Sequence, residues 1–249
     1  MPRRHRSPQR QKALIQSLVT IIKPFISGSS NYGILKKEKV SAYTHGAAIP
    51  VMGIGTAVLA YMSRGNSALQ TVSLIYGISA ILLFTASFLY HSKKRSENDT
   101  SVWRKLDHSA IFLLNAGTYT PMCYLYLDGW MRWGILIAQW SLVFSGIIFK
   151  LFFIKAPRII GTAIYLIMGW IVVIPISRLV SVMPGDVLFF LTAGGLSYTA
   201  GAVIYAIKRP NPIPERFGFH EIFHIFIIAG AVFHLMMVIV GIEKFSGVM

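Results

Sequence analysis

Apolar residues run through this chain in blocks longer than a soluble helix needs. Read by hydropathy and by breakers, seven blocks stand out, at about 42–63, 68–91, 107–127, 132–153, 159–182, 187–207 and 220–242. Each is close to the ~20 residues that a helix needs to cross ~30 Å of bilayer hydrocarbon. The blocks are continuous rather than alternating, which in practice excludes a membrane β-barrel. The pattern predicts an all-α, polytopic membrane protein, a seven-transmembrane helix bundle over residues 41–249. Pro50, Pro121 and Pro175 fall inside blocks. Each removes a backbone hydrogen bond, so kinks are expected there. The sixth block carries Ala193, Gly194, Ser197, Ala200 and Gly201, a stripe of small residues that reads as close helix packing.

Composition agrees with this reading. The chain is 54% hydrophobic and 13% charged, whereas soluble domains carry roughly 25% charged residues. A net charge of +15 on a soluble protein would suggest nucleic acid, but no RNA- or DNA-binding motif is present. The positions of the 24 Lys and Arg residues explain the charge better. Twenty fall before the first block or in the second, fourth and sixth connections, and four (Arg64, Arg132, Arg178 and Lys244) fall on the other side. The positive-inside rule then places the N-terminus in the cytoplasm and the C-terminus outside. Residues 1–40 form a separate basic arm with no acid before Glu38. Leu14, Leu18, Ile21, Ile22 and Phe25 recur there at helical spacing, which predicts an amphipathic helix on the anionic inner leaflet. An organelle transit peptide is the rival reading of the same composition. Cys123 is the single cysteine, so an intrachain disulfide and a cysteine-based zinc site are excluded.

Ionisable residues inside apolar blocks need a reason, because each is costly in a bilayer. His45, His91, Asp107, His108, His220, Glu221 and His224 all fall at block edges that the charge count assigns to the cytoplasmic side. His220 and His224 are one helical turn apart and share a face. Such a pair reads either as a metal clamp or as a hydrogen-bonded core pair. With His91 as a third imidazole, the set matches a zinc site that keeps one position open. Asp107 follows His91 after a polar connection long enough to fold back, so its carboxylate can hold a zinc-bound water or ligate directly. Ser87 lies one turn before His91 on the same face and can hydrogen-bond the water or Asp107. His45, His108 and His234 read as interfacial histidines, and Asp107 alone reads as an N-cap or dipole partner.

These residues carry a resemblance. Ser87-Phe88-Leu89-Tyr90-His91, the run Asp107 to Pro121, and His220-Glu221-Ile222-Phe223-His224 with His234 ten residues on resemble the bacterial hemolysin III family. That family is related to the progestin and adipoQ receptors and more distantly to alkaline ceramidases. Thr44-His45-Gly46 also matches, and the likeness covers about residues 38–245 in order. Members often have Asn where this chain has Ser41, and the basic arm is longer than the family core requires. The resemblance implies seven helices with the N-terminus inside and a zinc ion near the inner leaflet. It implies zinc ligation by His91, His220 and His224, with Asp107 acting through water and Ser87 in support. A bacterial inner-membrane location follows.

Three functions are expected in turn. A zinc-dependent hydrolase would act on lipid amide or ester bonds, ceramide-like or acyl-lipid, with Asp107 and Ser87 catalytic. A sensor or regulator of membrane lipid state would use zinc as a structural staple. A pore-forming cytolysin is the third, disfavoured because the spans lack a polar stripe. Membrane lipids are the expected partners, nucleic acid is not, and self-association into a homo-oligomer stays open.

Overall fold

The computed structural model describes residues 36–94, 99–214 and 216–246. The amphipathic helix predicted for the basic arm lies outside the described residues. The described residues form α-helices α1 (Lys36–Met62), α2 (Ser67–Lys93), α3 (Val102–Tyr126), α4 (Gly129–Phe152), α5 (Arg158–Trp170), α6 (Ile176–Val182), α7 (Gly185–Ile207) and α8 (Phe219–Ser246). A 3-10 turn, Ile171–Val173, lies between α5 and α6.

Local chemistry sets the helix starts. The Asn66 side chain accepts the Leu69 N–H at 3.0 Å and caps α2. Ser101 caps α3 by accepting from the Arg104 N–H. Asp99 accepts both the N–H and the hydroxyl of Ser101, and the Arg104 guanidinium donates to the Asp99 carbonyl at 2.6 Å. This knot fixes the turn of α3 that carries Asp107.

Among the described residues five helices are long and apolar enough to cross a membrane, and the bent α5–α6 segment, counted as one span, brings the number to six. The 25-residue α3 is not among them. Its first turns carry Arg104, Lys105 and Asp107, and Asn115, Thr118 and Thr120 lie further along. The kink expected at Pro175 is present, as a 54° bend between Ile159–Val173 and Ile176–Val182. Tyr119 on α3 supports the break. Its hydroxyl donates to the Gly169 carbonyl at 2.6 Å and accepts the Val172 N–H at 2.7 Å. In lipid, groups freed at such a break must find internal partners. By contrast, α1 continues through Pro50 and α3 through Pro121.

The helices close into a ring. α1 packs on α2, α2 on α3, α3 on α5, α5 on α7, α7 on α8, and α8 returns to α1. α4 lies against α3. The core between α1, α2, α3 and α8 buries Met52, Tyr76, Phe84, Met122 and Val238. There the Tyr76 hydroxyl donates to the Ala231 carbonyl of α8. The predicted small-residue stripe is a packing surface: Gly194 and Gly201 are buried, and a Cβ at Gly201 would come 2.9 Å from Phe226 Cβ. The outer surface exposes Ile54, Ile137, Phe144, Phe189 and Leu196, as a lipid-facing surface should.

Candidate metal centre

α8 begins with His220 and His224 on one face, their ring centroids 4.6 Å apart. The end of α2 brings His91 to them, at centroid distances of 5.0 Å from His220 and 4.9 Å from His224. One ring nitrogen from each of the three lies within 4.8 Å of the others. His91 Nε2 and His220 Nε2 are 3.3 Å apart. Two ligands of one tetrahedral zinc, with bonds of ~2.05 Å, are separated by about 3.3 Å. Two helix ends from distant parts of the sequence thus meet in one largely buried cluster.

Glu38, in the first turn of α1, fixes one of these rings. Its Oε2 is 2.5 Å from His91 Nδ1, and its Oε1 accepts from Lys94 Nζ at 2.7 Å. A carboxylate only accepts, so the His91 proton is on Nδ1 and the lone pair is on Nε2, facing His220. A carboxylate–histidine pair of this kind orients metal ligands and raises their basicity. Sequence reasoning missed Glu38. Its only signal was a lone acid in a basic stretch at the edge of an apolar block.

A second link ties α1 to α8. Ser41 Oγ donates to Glu221 Oε1 at 2.8 Å, and Glu221 Oε2 accepts the Gly218 N–H at 2.8 Å. The latter is the reciprocal half of a capping box at the start of the histidine helix. Ser41 therefore braces the helix that presents both histidines.

His45 is 3% exposed and stacks on His224, with centroids 3.7 Å apart and planes within 12°. It is not interfacial, contrary to expectation, and neither is His234, which is 5% exposed and donates from Nε2 to the Leu191 carbonyl. His108 is half-buried, and its carbonyl accepts from the Tyr165 hydroxyl. Both nitrogens of His45, and Nδ1 of His224, are buried without a hydrogen-bond partner. The donor set fits a metal ion: three imidazoles, one pre-oriented by a buried carboxylate, gathered at one end of the bundle.

Ser87 is buried on α2, and its hydroxyl lies within polar reach of the Asp107 carboxylate of α3. Asp107 stands outside the group of atoms within 4.8 Å of one another, yet both residues line the same cavity as the histidines. That cavity, about 1620 Å³, is lined by residues of α1, α2, α3, α5, α7 and α8 and by Lys150 of α4, and runs from the cluster past Leu114 and Met122 to Trp170 and Ile176. It exceeds the roughly 300–1,000 Å³ of sites for drug-sized ligands.

Comparison with known proteins agrees with this picture. Residues 34–235 match the haemolysin-III-related family. The chain is 35% identical to the hemolysin-3 homolog of Bacillus subtilis over 200 residues, 79% of this chain and 90% of that protein. It is 33% identical to hemolysin-3 of Bacillus cereus, over 79% of this chain and 88% of that one. It is also 31% identical to an adiponectin receptor protein of Drosophila melanogaster, over 73% of this chain and 45% of the receptor. The chain belongs to the haemolysin-III-related family. It is an integral membrane protein, and its Bacillus relatives point to a bacterial plasma membrane.

Proposed function

We propose that this family member is a zinc-dependent hydrolase that cleaves amide or ester bonds of membrane lipids near the inner leaflet. The scaffold is read as seven spans, counting α5 and α6 as one, with the N-terminus in the cytoplasm. His91, His220 and His224 are the residues that would hold the ion. Zinc held there would supply Lewis acidity and make the attacking water more acidic. Asp107 takes the proton of the attacking water on a carboxylate oxygen and returns it to the leaving amine or alcohol. Ser87 donates its one hydroxyl proton to that carboxylate and holds it toward the water. Glu38 keeps the His91 proton on Nδ1. The apolar cavity takes the acyl chain and keeps bulk water from the bond.

The observation that carries this reading is the opening of the histidine cluster, together with Ser87 and Asp107, onto one long apolar cavity. The test is release of fatty acid by the purified full chain from a panel of lipid amides and esters. Zinc bound at one per chain without turnover across the panel would overturn the hydrolase.

A second reading has its own support. The cluster and its braces join α1, α2 and α8 at one end of the bundle. Zinc there would staple the scaffold of a lipid sensor. In that case chelation lowers thermal stability sharply while no lipid is cleaved.

A further inference from the structure

The cavity holds a cation that the hydrolytic scheme leaves unused. Lys150, in the last turn of α4, is 5% exposed and lines the cavity. Among the described residues no hydrogen bond or ion pair reaches its Nζ, whose neighbours are the Phe149 and Tyr165 rings at 5.5 and 5.6 Å. A lysine at a helix C-terminus ordinarily extends to water and offsets the helix dipole. Lys150 instead turns inward against the first turn of α5: a Cβ added at Gly161 would stand 2.8 Å from Nζ.

That first turn is itself electropositive. α5 follows Pro157 with no side-chain cap, and Pro157, Gly161 and Thr162 line the cavity. The Ile160 N–H is bonded to the Pro157 carbonyl, so what this turn offers the cavity is the positive end of the helix dipole. Arg104 lines the same region, within electrostatic range of Lys150. Seven Lys and Arg side chains line the cavity against three carboxylates, Glu38, Asp107 and Glu221. Glu38 and Glu221 are already bonded within the protein. A buried, unpaired ammonium is costly and calls for an anion.

We propose that Lys150 and the Arg104 guanidinium, at the positive end of α5, form a subsite for an oxyanion, phosphate or carboxylate, carried by an amphiphile whose hydrocarbon chain occupies the cavity. The inference rests on the cavity being the substrate site, and it narrows the substrate class to anionic lipids.

The test is equilibrium binding to the full chain in a neutral glycoside detergent, with three probes: oleoyl-lysophosphatidic acid, mono-oleoylglycerol and inorganic phosphate. Runs with zinc and with chelator separate binding from cleavage, so a failed hydrolase leaves the subsite standing, and a failed subsite leaves the hydrolase standing. Wild type should bind the lysophosphatidic acid at least tenfold tighter than mono-oleoylglycerol and inorganic phosphate not measurably. Lys150→Met should remove at least tenfold of the affinity for the charged lipid and leave mono-oleoylglycerol within twofold. Lys150→Arg should retain most of the preference. Should Lys150→Met fail to fold, Arg104→Gln should weaken the same preference. Equal affinity for the two lipids in wild type would overturn the subsite, as would a preference unchanged in Lys150→Met. Inorganic phosphate binding as tightly as the charged lipid would overturn its lipid character.

Discussion

Replacing Glu38 by Gln separates what this residue does for the ligand set from what it does for the fold. The substitution keeps the shape but removes a charge held between His91 Nδ1 and Lys94 Nζ. The two side chains of the Glu38–Lys94 pair are 3% and 11% exposed. Breaking a buried pair by removing one partner costs about 3–5 kcal/mol. Lys94 keeps some access to water, so about 3 kcal/mol is expected. For a domain of this size that corresponds to a Tm lower by roughly 6–12 °C. The second effect falls on the metal. Loss of a carboxylate behind a ligand histidine lowers affinity roughly 10–100-fold, or about 1.4–2.7 kcal/mol. The double variant Glu38→Gln, Lys94→Met also removes the ammonium that Glu38 paired with. It should recover most of the lost stability and none of the lost zinc affinity. The assay pairs thermal unfolding in detergent with competitive zinc titration against a chromophoric chelator. A zinc Kd for Glu38→Gln within twofold of wild type would refute the orienting role and, with it, the proton placement on His91.

Three further outcomes follow. Asp107→Asn should lower fatty-acid release at least 100-fold while zinc stays near one per chain, since a positioned general base contributes 10²–10⁴-fold; loss of zinc together with activity would instead make Asp107 a ligand. His45→Phe should keep the stack on His224, leave zinc affinity within threefold and hold or raise Tm, because two orphaned ring nitrogens are removed from a buried position; a large fall in zinc content would show that His45 takes part in the site. Tyr119→Phe should destabilise the bundle by about 1–3 kcal/mol in reversible unfolding, since two bonds at the α5–α6 break are lost and each is worth roughly 0.6–1.7 kcal/mol in a membrane protein.

What the sequence made legible depended on the range of the interactions involved. The block at 68–91 became α2, Ser67–Lys93, because a predominantly apolar stretch of that length leaves few alternatives to a helix. The bend near Pro175 was signalled by the proline itself, whereas the Tyr119 hydroxyl that supports it lies about fifty residues away and left no local sign. The start of α1 at Lys36 was hidden because its first turns are polar. They make sense only through Glu38 and Ser41 reaching α2 and α8. The i, i+4 spacing of His220 and His224 announced the ligand pair, and charge counting put His91 at the same depth. Glu38 and its partner His91 are separated by 53 residues, so no pattern could join them. His45 and His234 looked interfacial because a histidine near a span edge commonly is, yet a neighbouring helix covers each of them.

The central claim is that His91, His220 and His224 bind one metal ion. Metal analysis of the zinc-equilibrated, desalted full chain beside the His220→Ala, His224→Ala double variant tests it most directly. The account predicts one zinc per wild-type chain and none in the variant, with both eluting as folded species. A wild type that retains no zinc, or a double variant that holds as much as wild type, would contradict it.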